Sequence, residues 1–205
     1  MYIFYYLIFT MEKQLIQNTE NEYFYKKSII NNDIKQQLVD CHCNVFMNKR
    51  KEDLNLKKFN KKNIGEYQWI VNMAYSKLDE YGIDNYCDDY LLEFQQRNCF
   101  GSKKNTSMNI WHTDSSLVSM FKQVYTVLLY IRKDKTIKGG NYKCEPGKKF
   151  FGNKRIMVEI NEGDCLVFDG NMTHCGEDSQ GFGCRDVIAI FIEKKKGITI
   201  GGIFI

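Results

Sequence analysis

Three side chains that can bind a transition metal recur in the C-terminal half of the sequence. His112 and Asp114 are separated by one residue, and His174 follows about sixty residues later. On an extended strand, residues i and i+2 lie on the same face, so the first imidazole and the carboxylate could reach one ion. Two histidines and one carboxylate on one face of an octahedron are the ligand set of non-haem Fe(II) oxygenases. We therefore expect His112, Asp114 and His174 to be the metal ligands and catalytic residues.

Each of these residues also has an ordinary structural interpretation. The His-x-Asp pair could be a turn in which Asp114 caps the segment that follows it through side-chain to backbone hydrogen bonds. His174 by itself could equally be a surface or core histidine with satisfied hydrogen bonds. Trp111, which precedes His112, either lines the site or packs outside it.

A fourth residue, Arg185, favours the functional interpretation. It follows His174 after ten intervening residues and precedes the apolar run 187–193. A guanidinium at the start of a strand can pair bidentately with a carboxylate inside a barrel. The alternative is a surface arginine paired with Glu177 or Asp178.

The elements that would position these residues are short and rich in β-formers. From residue 90 onward, apolar runs alternate with polar or glycine-containing turns, which predicts many short strands. The predicted strands are 90–94, 108–112, 124–132, 141–144, 156–160, 165–168, 187–193 and 198–204. The run 124–132 is apolar on both faces, as expected of a central strand. This spacing predicts a sandwich, barrel or jelly roll, in a chain that is mainly β with N-terminal helices (α+β).

The N-terminal part has a helical rather than a β-type pattern of apolar residues. Apolar residues recur three or four apart from Ile64 to Leu78, which predicts a helix that ends near Gly82. The Asn/Lys-rich stretch 48–63 is interpreted as a solvated linker. The apolar run 1–10 is shorter than a membrane helix requires, so we interpret it as an extra strand or a loose leader. We accordingly divide the chain into an N-terminal helical support region, 1–88, and a β core, 89–205.

Charge and cysteine content narrow the partners and the compartment. A formal net charge of +4 over 205 residues, with scattered lysines, forms no basic stripe, so charge does not argue for nucleic-acid binding. The eight cysteines show no regular framework and are interpreted as reduced thiols of a cytoplasmic protein. The Cys41-His42-Cys43 run lacks the second ligand pair that a zinc site needs. No membrane partner is expected, and the sequence leaves the oligomeric state open.

Taken together, the His-x-Asp pair, the distal His174 and Arg185 resemble the 2-oxoglutarate/Fe(II)-dependent dioxygenase superfamily. The resemblance covers residues 90–193. Within the superfamily, the sequence is most similar to the prolyl-hydroxylase-like branch. It includes the strand 124–131, the Lys138-Gly139-Gly140 turn and the acidic-glycine turn with its following strand, 160–168. The fold that this resemblance implies is a double-stranded β-helix, the jelly-roll or cupin-like barrel, with helices that support one sheet.

The resemblance also implies a ligand set and an activity. Arg185, with hydroxyl donors from Tyr130 and Thr126, would bind the remote carboxylate of 2-oxoglutarate. Fe(II), 2-oxoglutarate and O2 would be required, with ascorbate as a reductant. The reaction would couple conversion of 2-oxoglutarate to succinate and CO2 with hydroxylation of a substrate, such as a prolyl or other protein side chain. A protein or small molecule is favoured over nucleic acid as the substrate.

Two rival functions remain open at this point. Oxidation of a nucleic-acid base is the nearest enzymatic rival, and a non-catalytic jelly-roll binding module is the rival from another class. Arg97, Lys103 and Lys104 lie in a polar segment before His112 that we interpret as part of a lid over the site. This segment does not discriminate between the enzymatic alternatives.

Overall fold

The computed structural model describes residues 24–47, 54–106, 109–117, 123–146, 155–195, 199–200 and 203–204. The helices are α1 (Asn32–Phe46), α2 (Gln68–Glu80) and α3 (Asp114–Leu117), with one 3₁₀ turn at Gly65–Tyr67. The strands are β1 (Tyr25–Ile29), β2 (Leu54–Asn60), β3 (Tyr86–Asn105), β4 (Val124–Lys133), β5 (Lys138–Gly139), β6 (Tyr142–Glu145), β7 (Ile156–Val158), β8 (Asp164–Asp169), β9 (Thr173–Gly176), β10 (Ser179–Lys194), β11 (Thr199–Ile200) and β12 (Ile203–Phe204).

A large antiparallel sheet and a smaller one form the body of the fold. The large sheet has the order β1-β8-β4-β10-β3-β2, and β5 pairs with the start of β10. The smaller sheet has the order β7-β6-β9, while β11 and β12 form a separate two-stranded pair. Two sheets connected by crossovers in this way make the double-stranded β-helix that the sequence predicted.

Strand alternation divides the large sheet into a helix-covered face and an interior face. On β4, Val127, Leu129 and Ile131 belong to the cluster that packs against α1 and α2. The intervening Tyr130 belongs to a second cluster, shared with β6, β7 and β8. Side chains of a strand alternate between faces, so one strand serves both clusters. The prediction that this segment is a central strand with two apolar faces is confirmed.

The helices cover the face of the sheet that is opposite the smaller sheet. α1 begins where the Asn31 side chain accepts a hydrogen bond from the backbone N–H of Asp33, at 2.8 Å. α1 buries Leu38, His42 and Phe46, which are spaced four apart and therefore share one side of the helix. α2 matches the predicted helix and buries Ile70, Val71, Ala74 and Leu78.

Several predicted boundaries need correction. The Asn/Lys-rich stretch 48–63 is not only a linker, because it contains β2, which pairs with β3 along its whole length. The segment 108–112 is not a strand in its described part, since only His112 forms an isolated bridge. The predicted strand 198–204 consists of β11 and β12. The proposed division between 88 and 89 falls inside β3, and β1 and β2 join the large sheet.

Two further predictions concern the N-terminal apolar run and membrane insertion. The apolar run 1–10 lies outside the described residues. Among the residues that are described, no helix has both the length and the apolar character needed to cross a bilayer.

Candidate metal centre

The three predicted metal ligands come together. Asp114 Oδ1 lies 3.5 Å from His112 Nε2 and 3.4 Å from His174 Nε2. One ligand atom from each residue can be chosen so that all three lie within 4.8 Å of one another. Asp114 and His174 are buried, and His112 is half-buried. The arrangement offers two imidazole nitrogens and one carboxylate to a single ion.

Backbone pairing sets the two histidines side by side. The N–H of each donates to the carbonyl of the other, both at 2.9 Å, which forms an antiparallel bridge. Their ring centroids are consequently 4.4 Å apart. The sequence predicted that His112 and Asp114 lie on one extended strand. Asp114 instead begins α3. A bridge followed by a helical turn therefore brings the carboxylate to the imidazoles.

A backbone carbonyl two residues earlier orients each imidazole. His112 Nδ1 lies 2.7 Å from the carbonyl of Ile110, and His174 Nδ1 lies 2.9 Å from that of Met172. A carbonyl can only accept, so each Nδ1 must carry the proton. Each ring thereby directs Nε2 at Asp114, and a metal would bind at Nε2 with release of any proton held there.

Hydrogen bonds within this cluster keep the carboxylate ionised. Burial would raise the pKa of Asp114, but attraction to His174 and hydrogen bonds from His112, His174 and Thr126 hold it well below its usual range. Burial would lower the pKa of His112, but its bonds to Asp114 and to the Ile110 carbonyl raise it. The cluster holds negative charge in the place where a divalent cation would bind.

Thr126 occupies a different position from the one expected of it. Its hydroxyl donates to Asp114 Oδ2 at 2.6 Å, and the residue is fully buried. Thr126 and Tyr130 do share a face of β4, as the sequence indicated, but Thr126 lies at the metal end of that face. In this structure its hydroxyl contacts the carboxylate of Asp114, and its expected role at the cosubstrate stays a prediction.

Arg185 is a buried residue with an aromatic neighbour. Only 5% of it is exposed, which excludes the surface arginine considered from sequence. Its guanidinium carbon lies 4.9 Å from the centroid of the Tyr130 ring. Burial lowers the pKa of Arg185, and Tyr130 partly offsets this effect. The Arg185 side chain hydrogen-bonds Tyr130, while its Nε atom has no hydrogen-bond partner among the described residues.

Comparison with known proteins identifies the fold. Neither a protein-family profile nor a curated protein matches the sequence. Among solved structures, a Pseudomonas putida prolyl-4-hydroxylase is 12% identical with a TM-score of 0.57, and the match covers 85% of this chain and 94% of the other. A 2OG-Fe(II) oxygenase family oxidoreductase from Burkholderia pseudomallei is 10% identical with a TM-score of 0.57, covering 82% and 84%. This chain has the fold of the 2-oxoglutarate/Fe(II) oxygenases.

A further structural neighbour has a bound peptide. It is a Trichoplax adhaerens prolyl hydroxylase in complex with a fragment of the hypoxia inducible factor oxygen degradation domain. This neighbour is 11% identical with a TM-score of 0.57, over 85% of this chain and 84% of the other. The fold therefore matches that of the prolyl-hydroxylase-like oxygenases, as the resemblance predicted.

Two buried residues of this oxygenase fold were not anticipated from the sequence as part of the site. Arg97 was expected in a lid loop, but it lies in β3 directly opposite Arg185 in the strand register. Tyr142 stacks on His174 with ring centroids 5.3 Å apart, and its buried hydroxyl has no partner. Alternation along β3 could have placed Arg97 on the interior face, had the strand been extended beyond Phe94.

A cavity of about 310 Å³ lies between Trp111 and the strands β6 and β7 of this oxygenase fold. It is lined by Trp111, Lys143, Arg155, Ile156 and Met157. The guanidinium of Arg155 lies over the Trp111 ring, 4.7 Å from its centroid. Trp111 precedes His112 in the chain, and Lys143 precedes Cys144, the partner of His174 in the β6–β9 register. Neither histidine lines the cavity, and because side chains alternate along β6, Lys143 projects away from the face that carries Tyr142 and Cys144.

Proposed function

We propose that this protein is an Fe(II)- and 2-oxoglutarate-dependent dioxygenase that hydroxylates a side chain of a polypeptide. The observation that carries the proposal is the presence, within one fold, of the His112–Asp114–His174 cluster and of the buried Arg185, which forms no ion pair with any described residue. Iron bound there would couple the oxidative decarboxylation of 2-oxoglutarate by O2, giving succinate and CO2, to substrate hydroxylation. Ascorbate would serve as the reductant that keeps the iron in its Fe(II) state.

The metal ligands are prepared for a divalent cation before it binds. His112 and His174 each retain the proton on Nδ1, where a backbone carbonyl accepts it, and direct Nε2 toward Asp114. Thr126 holds the second oxygen of Asp114. Outer hydrogen bonds of this kind fix ring orientation and tautomer, and their loss typically costs metal affinity.

Arg185 and Tyr130 would bind the remote carboxylate of the cosubstrate. An unpaired guanidinium in the interior is costly, and a carboxylate with matching geometry removes this cost. Tyr130 is buried, and burial raises the pKa of its hydroxyl to about 12, although Arg185 opposes the shift. The hydroxyl therefore keeps its proton at neutral pH and can donate it in a hydrogen bond.

Apolar side chains exclude water from the interior between these two ends. Leu166, Phe168, Met172 and Val187 are all buried in the cluster that contains Tyr130 and Tyr142. Phe168 also packs edge-on against His174, with ring centroids 4.8 Å apart. A dry surrounding strengthens the electrostatic contacts to a bound dicarboxylate and limits side reactions.

The surface around the cavity supports a polypeptide as the substrate. Ile110 and Met157 are 71% and 59% exposed, although both are large and apolar. Exposed apolar groups beside a cavity are typical of surfaces that bind another molecule. The Trichoplax adhaerens neighbour was solved with a peptide, which is consistent with this choice. The eight free thiols agree with the reducing cytoplasm that we propose as the compartment.

The proposal is tested by anaerobic binding of Fe(II) and 2-oxoglutarate, measured by calorimetry and by the visible charge-transfer absorption that a 2-oxo acid chelated to Fe(II) produces. The wild-type protein should bind both. His174→Ala should lose iron binding, whereas Arg185→Gln should bind iron normally and bind 2-oxoglutarate about 100-fold more weakly.

Lys61→Gln provides the control, since Lys61 is exposed and, among the described residues, pairs only with Asp88. It should behave like the wild type. A wild-type protein that binds Fe(II) but no 2-oxoglutarate would favour the non-catalytic binding module.

A further inference from the structure

Two arginines face each other in the interior of the large sheet. Arg97 on β3 and Arg185 on β10 are directly opposed in the antiparallel register. Opposed residues of two neighbouring strands project on the same side of a sheet. Arg97 is 4% exposed and Arg185 is 5% exposed, so both guanidiniums lie inside the protein on one face.

These guanidiniums differ from the other described arginines in their partners. Arg132 and Arg155 form ion pairs with Asp186 and Glu145, both at 2.8 Å. Among the described residues, neither Arg97 nor Arg185 is in an ion pair, and the Nε of each lacks a hydrogen-bond partner. The hydrogen bond of Arg97 to the carbonyl of Glu177 is long, at 3.5 Å. Such an arrangement leaves two buried guanidiniums without a direct ion-pair partner among the described residues, which is unfavourable.

The nearby carboxylates of Glu177 and Asp178 attract the two arginines but form an ion pair with neither of them. Tyr130 is neutral at physiological pH because burial raises its pKa to about 12. The Glu177 carboxylate accepts from the side chain and the backbone N–H of Asn141. Asp178 attracts Arg97 but forms no ion pair with it. Lys133, opposite Arg185 on the β4 side, adds another cation.

The electrostatics agree with mutual repulsion between the two arginines. Burial, followed by the charge of Arg185, lowers the pKa of Arg97 to about 9. An anion placed between the guanidiniums would offset the free-energy cost of burying them and would reduce their mutual repulsion. Charge-assisted hydrogen bonds to a carboxylate are strong. Two buried guanidiniums on one face therefore favour an anionic ligand over a neutral one.

We propose that Arg97 is a second guanidinium ligand of the remote carboxylate of 2-oxoglutarate, opposite Arg185. This inference rests on the proposed function and extends it, because it makes the carboxylate site a clamp of two arginines. Gly140 helps to leave the space, since a Cβ at this position would lie 3.1 Å from both Cδ and Nε of Arg185. The clamp makes the protein selective for 2-oxo acids that carry a second, remote carboxylate.

The test compares two ligands on Fe(II)-loaded protein by anaerobic calorimetry. 2-Oxoglutarate carries the remote carboxylate, and 2-oxopentanoate has a methyl group in its place. Arg97→Gln should weaken the binding of 2-oxoglutarate about 10- to 100-fold, as expected for a lost charged hydrogen bond. The same substitution should leave 2-oxopentanoate binding within about twofold, because that ligand makes no contact with the clamp.

Thermal unfolding of the ligand-free protein separates a binding role from a structural role. Arg97→Gln removes one of two repelling buried charges, so its Tm should equal or exceed that of the wild type. Arg132→Gln is the matched control, because it breaks the ion pair with Asp186 and should lower the Tm. Arg97→Lys, which keeps the charge without the planar fork, should bind 2-oxoglutarate with intermediate affinity.

The possible outcomes distinguish this inference from the proposed function. If the wild type binds 2-oxoglutarate and both Arg97 variants bind it equally well, the clamp is wrong while the dioxygenase proposal stands. If Arg97→Gln weakens both ligands equally, or lowers the Tm as much as Arg132→Gln, then Arg97 is structural and the clamp is again overturned. If the wild type itself binds no 2-oxoglutarate, the proposed function fails and the clamp fails with it.

Discussion

The Thr126 hydroxyl donates a 2.6 Å hydrogen bond to the Asp114 carboxylate, so β4 is connected directly to the metal cluster. Asp114 also lies between the two imidazole Nε2 atoms. One oxygen of the carboxylate thus faces the imidazoles while Thr126 restrains the other. This contact fixes the orientation of a ligand that lies at the start of the short helix α3 rather than within a sheet.

Thr126→Val tests this role because valine keeps the volume but removes the hydroxyl. We expect Fe(II) affinity to fall about 10- to 100-fold, as is typical when a group that orients a metal ligand is removed. Affinity for 2-oxoglutarate, measured at saturating Fe(II), should change little. Anaerobic calorimetry of each ligand in turn gives both values. A variant with normal Fe(II) affinity and weakened 2-oxoglutarate binding would restore the role predicted from the sequence.

Gly140→Ala should disturb the carboxylate site by displacing Arg185. Gly140 has a φ of +75°, and the added Cβ would lie 3.1 Å from Arg185 Nε. The matched control is Gly82→Ala, with a φ of +71° and no atom within 4 Å of its Cβ position. Both variants should lose roughly 1 to 2 kcal/mol of unfolding free energy from backbone strain. Only Gly140→Ala should also weaken 2-oxoglutarate, and equal affinity in the two variants would argue against this geometry.

Tyr142→Phe removes a buried hydroxyl that has no hydrogen-bond partner among the described residues. Its loss should leave the free energy of unfolding unchanged or raise it by up to roughly 1 kcal/mol, since no hydrogen bond is broken. Because Tyr142 stacks on His174, we expect its hydroxyl to contact the bound cosubstrate and the variant to bind 2-oxoglutarate about tenfold more weakly. Urea unfolding and calorimetry measure the two effects. A large loss of stability would show that the hydroxyl has a structural partner.

The sequence predicts the strands of the interior better than their registers. The alternation in β4 correctly places Tyr130 and Thr126 on one face, and the spacing of His112, Asp114, His174 and Arg185 indicates the metal and carboxylate ends. Whether Thr126 lies near the metal cluster or near Arg185 depends on how β4 pairs with β8 and β10. This register is set by non-local contacts.

The N-terminal strands and Arg97 were missed for a related reason. β2 lies in an Asn/Lys-rich stretch whose polar Asn55 is buried and hydrogen-bonds Gln96 on β3. When buried polar side chains on two strands hydrogen-bond each other, the sequence alone does not distinguish them from solvent-exposed residues. Because the residues after Phe94 are also polar, the predicted strand ended there, three residues before Arg97.

Stability as a function of pH should depend on a buried pair between α1 and β10. His42 Nδ1 lies 3.5 Å from Asp186 Oδ2, and both residues are 1% exposed. Burial lowers the pKa of His42 from 6.5 to about 4, with repulsion from Arg132 acting in the same direction and a bond to the Gln95 carbonyl opposing it. Burial raises the pKa of Asp186 from 3.8 to about 7, against the attraction of Arg132.

The two residues have opposite effects between pH 4.5 and 6.5. Unfolding lets His42 take up a proton, so its contribution to stability is present above pH 6.5 and is lost as the pH falls. Asp186 holds its proton in the folded state, so its contribution is present at low pH and is lost as the pH rises toward 7. In His42→Gln, stability should therefore decrease with rising pH across this window, and in Asp186→Asn it should increase. Urea unfolding at several pH values measures both slopes, and equal slopes in the two variants would contradict the assignment.

The central claim is tested most directly by succinate formation. Protein loaded anaerobically with Fe(II) and 2-oxoglutarate is exposed to O2, and succinate is quantified for the wild type, Asp114→Ala and the control Asp88→Ala, in which an exposed aspartate is removed. We predict succinate from the wild type and Asp88→Ala, and none above background from Asp114→Ala. Equal succinate from all three proteins would contradict the assigned metal site, and no succinate from the wild type, together with no 2-oxoglutarate binding, would contradict the dioxygenase itself.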